Sequence, residues 1–352
     1  MFAKNAKYKK IFVFLPKLII MKYLSKLFFE KIKNNCDKNI SFIDEVAAVL
    51  DINYDAAYRR INNKTTLSLE DAIKLANHFN ISLDIFLKKN LSENKIIVKD
   101  SKNISSFTEI ESYYKNILNN IIPFKSRGDV HITYSARDIP LFYFNRDELF
   151  SKFKIFTTLY LTNKDFPRKN IHFNVFNPPA SLLHAAKQFG DIYYNFDITE
   201  IWNDNILDST INQILYFYEI QLISYSTAIK LCNKLVKIIK QVEIDSFSSI
   251  RNNKFKSKFY LYNSISLMLN NNVIITSKNK KVALSQYALG KHFIIEDQNF
   301  IKQYEVFINN SIELATLLSK TGIKERLLFF KPKYRAIEKA KQRIELIRQF
   351  PI

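Results

Sequence analysis

Between residues 23 and 86 apolar positions recur every three or four residues and are broken only by short polar turns, a pattern that predicts five short helices. The first, about 23–34, aligns Leu24, Leu27, Phe28 and Ile32 on one face. The second, about 42–50, repeats the spacing with Ile43, Val46, Ala47 and Leu50, behind a candidate cap at Ser41. Asp51-Ile52-Asn53 forms a three-residue turn, and Asn53 stands where it can cap a third helix over about 54–62. Ser68, with Asp71 three residues later, is an S-x-x-D start signal for a fourth, whose expected buried stripe is Leu69, Ala72, Ile73, Ala76 and Phe79. Leu83 and Phe86 follow Ser82 in a short fifth helix. No Gly or Pro interrupts the chain between Met21 and Asn120.

The pattern changes after this bundle. Residues 88–105 are polar and read as a linker with one short strand at Ile96-Ile97-Val98. Ser106 and Glu109 form a capping box for a helix carrying Ile110, Tyr114, Ile117, Leu118 and Ile121, which Pro123 is expected to end. Strands are expected at 130–134, 141–144, 171–176 and 192–194, and helices at 147–162 and 181–189, the latter stopped by Gly190. Helical spacing fills about 208–242. The stretch 258–286 reads as a three-stranded meander with turns at Asn270-Asn271-Asn272 and Lys278-Asn279-Lys280, and two helices, 297–319 and 323–347, close the chain before Pro351. No repeat of 20–50 residues is present, which argues against a solenoid. The expected fold class is therefore α+β and mainly helical: a bundle over 21–87, a linker over 88–105, and a larger mixed α+β region over 106–352 with a regulatory or oligomerising role.

Charge adds a partner class. Lys and Arg total 53 against 33 Asp and Glu, a formal net charge of +20, which suits a polyanion. The excess is not in the bundle: residues 39–100 hold eight basic and nine acidic residues, whereas 1–38 hold ten against two and 319–352 ten against three. Hydrophobic residues make up 47% of the chain, enough to bury a sizeable core and exclude wholesale disorder.

Composition also removes enzyme classes. Four glycines, Gly128, Gly190, Gly290 and Gly322, cannot build a Gly-rich phosphate or dinucleotide loop. Cys36 and Cys232 lack metal or redox spacing and read as ordinary small apolar residues of a reducing, cytoplasmic compartment. His78, His131, His172, His184 and His292 show no metal-ligand spacing, and no G-x-S-x-G elbow or Cys–His signature occurs. Asp138 and Asp165 sit beside Arg137 and Lys164 and read as surface ion pairs. No catalytic residue, metal site or cofactor is expected.

The start of the chain is basic, with an apolar run of about ten residues over 11–20 interrupted by Pro16 and Lys17. This is half the roughly twenty residues that a spanning helix needs. With no small-x-small cleavage site after it, the run is read as a loosely attached extension preceding a start at Met21, with a docked helix or a membrane-surface anchor as alternatives.

One resemblance is specific. Val46-Ala47-Ala48-Val49-Leu50-Asp51-Ile52-Asn53, then Ala57-Tyr58-Arg59-Arg60-Ile61-Asn62-Asn63-Lys64, then Leu67 to Ala72 and Phe79 to Asp84, resemble the Cro-type, lambda-repressor-like helix-turn-helix family over about 65 residues. The resemblance implies that small Ala47 lets the second and third helices cross closely and that the third enters the DNA major groove. Two positions where that family commonly has Gly are Asp51 and Asn63 here, residue types that best tolerate a left-handed backbone.

If Ala57 and Ile61 face the bundle, Tyr54, Asp55, Tyr58, Arg59 and Asn62 face outward. The resemblance then implies base contacts. Arg59 or Arg60 suits guanine, Asn62 adenine, the Tyr58 ring a thymine methyl, and Asp55 either cytosine or the positive helix end. Asn53, Lys64, Thr65 and Thr66 are placed for phosphates. The function expected is a sequence-specific, DNA-binding transcriptional regulator. It would bind double-stranded DNA as a homodimer, with an effector of unknown identity acting on the larger region. The alternatives are a protein-interaction adaptor and a nucleic-acid-processing enzyme.

Overall fold

The computed structural model describes residues 24–33, 36, 41–79, 81–86, 98–100, 104–125, 130–168, 171–252, 256–264, 271–278, 280–288, 291–320 and 322–350. The extension over 1–20 and most of the expected linker lie outside them. The chain divides into two compact units, Met1–Ile97 and Val98–Ile352.

Among the described residues the first unit is built from helices alone: α1 (24–33), α2 (Phe42–Leu50), α3 (Tyr54–Ile61), α4 (Leu69–His78) and a 3-10 turn at Leu83–Phe86. Phe28, Phe29, Ile32, Val46, Leu50, Ala57, Leu75, Ala76, Phe79 and Ile81 form its core. Asn53 Oδ1 accepts from the Ala56 amide at 2.8 Å and Ser68 Oγ from the Asp71 amide at 3.0 Å, so both helix starts are capped by their side chains. Ser41 occupies the N-cap of α2 in extended conformation but makes no side-chain cap bond. The α4 stripe is rotated from expectation: Leu69 is 69% exposed and Ile73 44%, while Ala72, Leu75, Ala76 and Phe79 turn inward. Leu75 completes a three-and-four spacing with Ala72 and Phe79 that leaves Leu69 on the flank.

The second unit is a mixed sheet with helices on both faces. Its strands are β1 (Val98–Asp100), β2 (His131–Ala136), β3 (Asp197–Trp202), β4 (Ile250–Asn252), β5 (Ser257–Asn263), β6 (Asn272–Thr276), β7 (Lys281–Ala288), β8 (Lys291–Ile295) and β9 (Thr316–Leu317). Their order is β1-β8-β7-β6-β2-β3-β5-β4, with β9 also beside β5. β2, β3 and β5 run parallel, and the other pairings are antiparallel. The helices are α5 (Phe107–Lys125), α6 (Leu141–Phe144), α7 (Glu148–Thr162), α8 (Ala180–Ile192), α9 (Asp208–Glu219), α10 (Tyr225–Ser248), α11 (Gln298–Glu313) and α12 (Ile323–Gln349). Ile198 and Trp202 of β3 join the large core beneath most of the helices, where Phe156 meets Phe166, Phe173, Phe176 and Phe217 edge-on. Ile201, one residue out of phase, faces a smaller core with Ile301 and Ile308 of α11. The chain is thus mainly helical and α+β.

Several local expectations are corrected. Residues 141–144 are helical, since Pro140 fixes an entry and Tyr143 and Phe144 both pack inward. Residues 171–176 form turns, and 192–194 end α8 and enter a 3-10 turn. Pro123 lies within α5, which runs two residues past it, because its fixed φ is helical and only one amide is lost. Gly190 does not stop α8. A Cβ there would lie 2.8 Å from the Phe142 carbonyl oxygen, so the glycine permits close approach of α6. The meander is β6-β7-β8, whereas β5 pairs with β3 and is separated from β6 by β2 and β3. Val98, placed in the linker by sequence, opens an edge strand of this sheet.

Candidate nucleic-acid interface

The site is assembled by two tight turns. Asp51 closes α2 in left-handed conformation at φ 54°, and the Ile52 amide returns to the Ala47 carbonyl at 3.0 Å. The chain then leaves through extended Asn53 into α3. At the far end Asn63 adopts the same φ of 54°, and the Lys64 amide bonds the Arg59 carbonyl at 2.8 Å. Asp and Asn therefore occupy both positions where left-handed backbone is needed.

α3 is anchored from below. Ala57 has no exposed surface and Ile61 packs partly buried against the same core, together with Ala47 of α2. Arg60 turns toward α4, where its Nε donates to Asp71 Oδ2 at 3.1 Å in a half-buried ion pair. Sequence reasoning grouped Arg60 with Arg59 as a base reader, but this pairing assigns it to holding α3 against α4. Asn62 is likewise turned back: its Nδ2 donates one hydrogen to the Tyr58 carbonyl at 2.9 Å, which ties the amide to its own helix.

The outward face of α3 is left with Tyr54, Asp55, Tyr58 and Arg59. Both tyrosine rings are about half exposed, and the Arg59 guanidinium makes no hydrogen bond or ion pair among the described residues. Lys64 Nζ lies 5.6 Å over the Tyr58 ring, while Thr65 and Thr66 continue the exposed edge. Asp55 lies in the first turn and the two arginines in the last, each at the end of the helix dipole that favours its charge. Behind this face Glu45 accepts from Cys36 Sγ at 2.6 Å and lies 3.0 Å from His78 Nε2. His78 and Cys36 are thereby engaged in cross-linking the bundle.

The second unit holds polar chemistry that periodicity did not disclose. Glu200, in β3, has no exposed side-chain surface, yet Tyr143 Oη, Tyr193 Oη, Trp202 Nε1 and Arg251 Nη2 all donate to it within 2.7–3.1 Å. Burial pushes its carboxyl up to about 8 against the opposing bonds from Tyr193 and Trp202. Asp245 of α10, raised to about 6 by burial, sits 3.8 Å from Arg251 Nε. At the carboxyl end of β2, Asp138 is half-buried with its carboxyl raised by burial, and its electrostatic partners include Lys154. Burial lowers Lys154 to about 7, and its Nζ donates to Thr210 and Gln213. Asp138 is thus not the surface ion pair expected with Arg137. Asp165 forms no ion pair with Lys164 among the described residues. The sequence signal for Glu200 was its place in D-I-T-E-I-W, a glutamate on the apolar phase of a strand.

Among the described residues no group of three His, Cys, Asp or Glu side chains is arranged to hold a metal ion. No described helix is long and apolar enough to cross a membrane. Comparison with protein-family models, curated proteins and solved structures finds no match to this chain.

Proposed function

We propose that the chain is a sequence-specific DNA-binding transcriptional regulator whose α3 reads base edges in the major groove. One observation carries the reading. α3 is fixed from below by Ala57 and the Arg60–Asp71 pair, while its opposite face presents Tyr54, Asp55, Tyr58 and Arg59 to solvent. Arg59 then supplies the paired donors that suit guanine O6 and N7, and Tyr58 an apolar surface for a thymine methyl. Asn53, Lys64, Thr65 and Thr66 flank it as phosphate contacts. The regulator acts in the cytoplasm as a homodimer on two half-sites, because one α3 spans only a few base pairs.

Leu69 and Ile73, exposed on α4, favour a second use of the same unit as a contact for another protein chain. A salt titration of the full chain against random duplex DNA separates the two. Phosphate neutralisation gives log K falling steeply and linearly with log salt, and Lys64→Ala lowers the slope by about one. Absence of duplex binding at low salt contradicts the DNA reading.

A further inference from the structure

The basic excess over 319–352 is sorted by the packing of α12 on α10. The two helices run antiparallel: Tyr334 Oη donates to Glu243 Oε2 at 2.6 Å, and the Arg348 guanidinium lies 4.3 Å over the Tyr225 ring. Their apolar rows are consumed by the core, with Phe330, Ile337 and Ile344 of α12 and Leu231, Leu235 and Ile239 of α10 showing no exposed surface. On the outer face of α12, Lys331, Arg335 and Lys339 stand exposed at i, i+4 and i+8, about 6 Å apart along the axis. On α10, Lys230, Lys237 and Lys240 are exposed in the same way.

None of these six cations forms an ion pair among the described residues, whereas other cations of this unit do. Lys234 pairs with Asp147, Lys333 with Asp204, Lys341 with Glu338 and Arg343 with Glu219. The acids beside the six are engaged elsewhere: Glu338 with Lys341, Glu345 with Arg348, and Glu243 with Tyr334. Like charges at i, i+4 destabilise a helix, so helix stability does not explain the row.

We propose that the outer face of the α10–α12 pair is a second DNA surface, which holds the phosphate backbone of a duplex without reading sequence. The inference rests on the DNA-binding reading and supplies the cations that residues 39–100, with eight basic against nine acidic, do not. Duplex DNA fits better than an anionic membrane. A helix lying on lipid must offer an apolar face beneath its charges, and the exposed large apolar side chains of the two helices, Ile244, Phe247, Ile323, Leu327, Leu328 and Leu346, all lie outside the cationic stretches 230–240 and 331–339.

The test uses the full chain with Lys331→Gln, Arg335→Gln and Lys339→Gln combined, titrated with salt on random duplex. Each lost phosphate contact lowers the slope of log K against log salt by about 0.9, so the triple variant is expected to lose about two to three. Unchanged Trp202 emission and melting temperature establish that the variant is folded. The set Lys230→Gln, Lys237→Gln and Lys240→Gln provides an independent readout in the same direction should the first variant not fold. A wild-type slope in folded variants overturns the second surface and leaves the α3 reading intact. A lowered slope, in a protein that selects no preferred sequence from a random pool, supports the surface and removes the α3 reading. No duplex binding by wild type removes both. Variant-sensitive binding to vesicles of phosphatidylcholine and phosphatidylserine, with unchanged duplex slope, overturns the proposal in favour of a membrane.

Discussion

The two units treat charge in opposite ways. In the helical unit the core among the described residues is apolar apart from the buried Ser25 hydroxyl, from Phe28 through Val46 and Ala57 to Phe79, and the polar side chains of α3 other than half-buried Arg60 remain at the surface. In the α+β unit a carboxyl group and a guanidinium, those of Glu200 and Arg251, are enclosed completely within an aromatic core. Exposed polar groups remain available to a partner, whereas enclosed ones answer only to their neighbours. The same residue types therefore point to recognition in one unit and to architecture in the other.

The largest expected effect comes from opening the enclosed pair. Glu200→Ala leaves buried Arg251, Tyr143, Tyr193 and Trp202 without their shared acceptor and is expected to cost about 3–5 kcal/mol. Trp202 is the single tryptophan and has no exposed surface, so urea unfolding followed by its emission reports on this unit directly. A loss below about 1 kcal/mol would show that the pair is not enclosed as described.

Next in size is the pH dependence. Folding raises Glu200 from 4.5 to about 8, so the folded unit holds an extra proton between those values. Its contribution is complete below about 4.5 and is lost as pH rises through about 8, with a slope of at most roughly 1.4 kcal/mol per pH unit. Asp245, raised to about 6, acts in the same direction over the lower part of that window. Urea midpoints measured by Trp202 emission should thus fall from pH 5 to pH 7, above which Lys154, lowered to about 7, acts in the opposite direction, and Glu200→Gln should flatten most of the decline. A rise over that range contradicts the assignment.

The smallest effects belong to the helical unit. Asn53→Ala removes the cap bond to the Ala56 amide and should cost about 1 kcal/mol. Arg60→Ala removes a half-buried ion pair and should cost a similar amount, about 1 kcal/mol. Both are read as lost helical circular dichroism on heating. A larger loss of DNA affinity at Arg60 than at Arg59 would reverse the roles given to the two arginines.

What the sequence disclosed followed from local physics. The starts of α3 and α4 were marked by Asn53 and Ser68, whose side chains accept backbone amides there. The turns at Asp51 and Asn63 were legible because few residue types tolerate a left-handed backbone. The region 141–144 was misread because a short continuous aromatic run has no periodicity to separate strand from helix. β3 escaped because buried Glu200 breaks its apolar phase, and the pairing of β5 with β3 is a non-local contact that spacing does not encode. Within the candidate site, exposure of Tyr54, Tyr58 and Arg59 was legible from the positions of Ala57 and Ile61. The diversion of Arg60 was not, since it depends on Asp71, eleven residues away on another helix.

The most direct test of the account is selection of preferred sites from a random duplex pool by wild type, Arg59→Ala and Arg60→Ala at one fixed salt concentration. Wild type is expected to enrich a site with paired half-sites. Arg59→Ala should relax preference at one guanine, with discrimination lower by roughly 1–3 kcal/mol, and Arg60→Ala should keep the wild-type preference. Enrichment that is the same in all three proteins, or absent in wild type, would contradict base reading by α3.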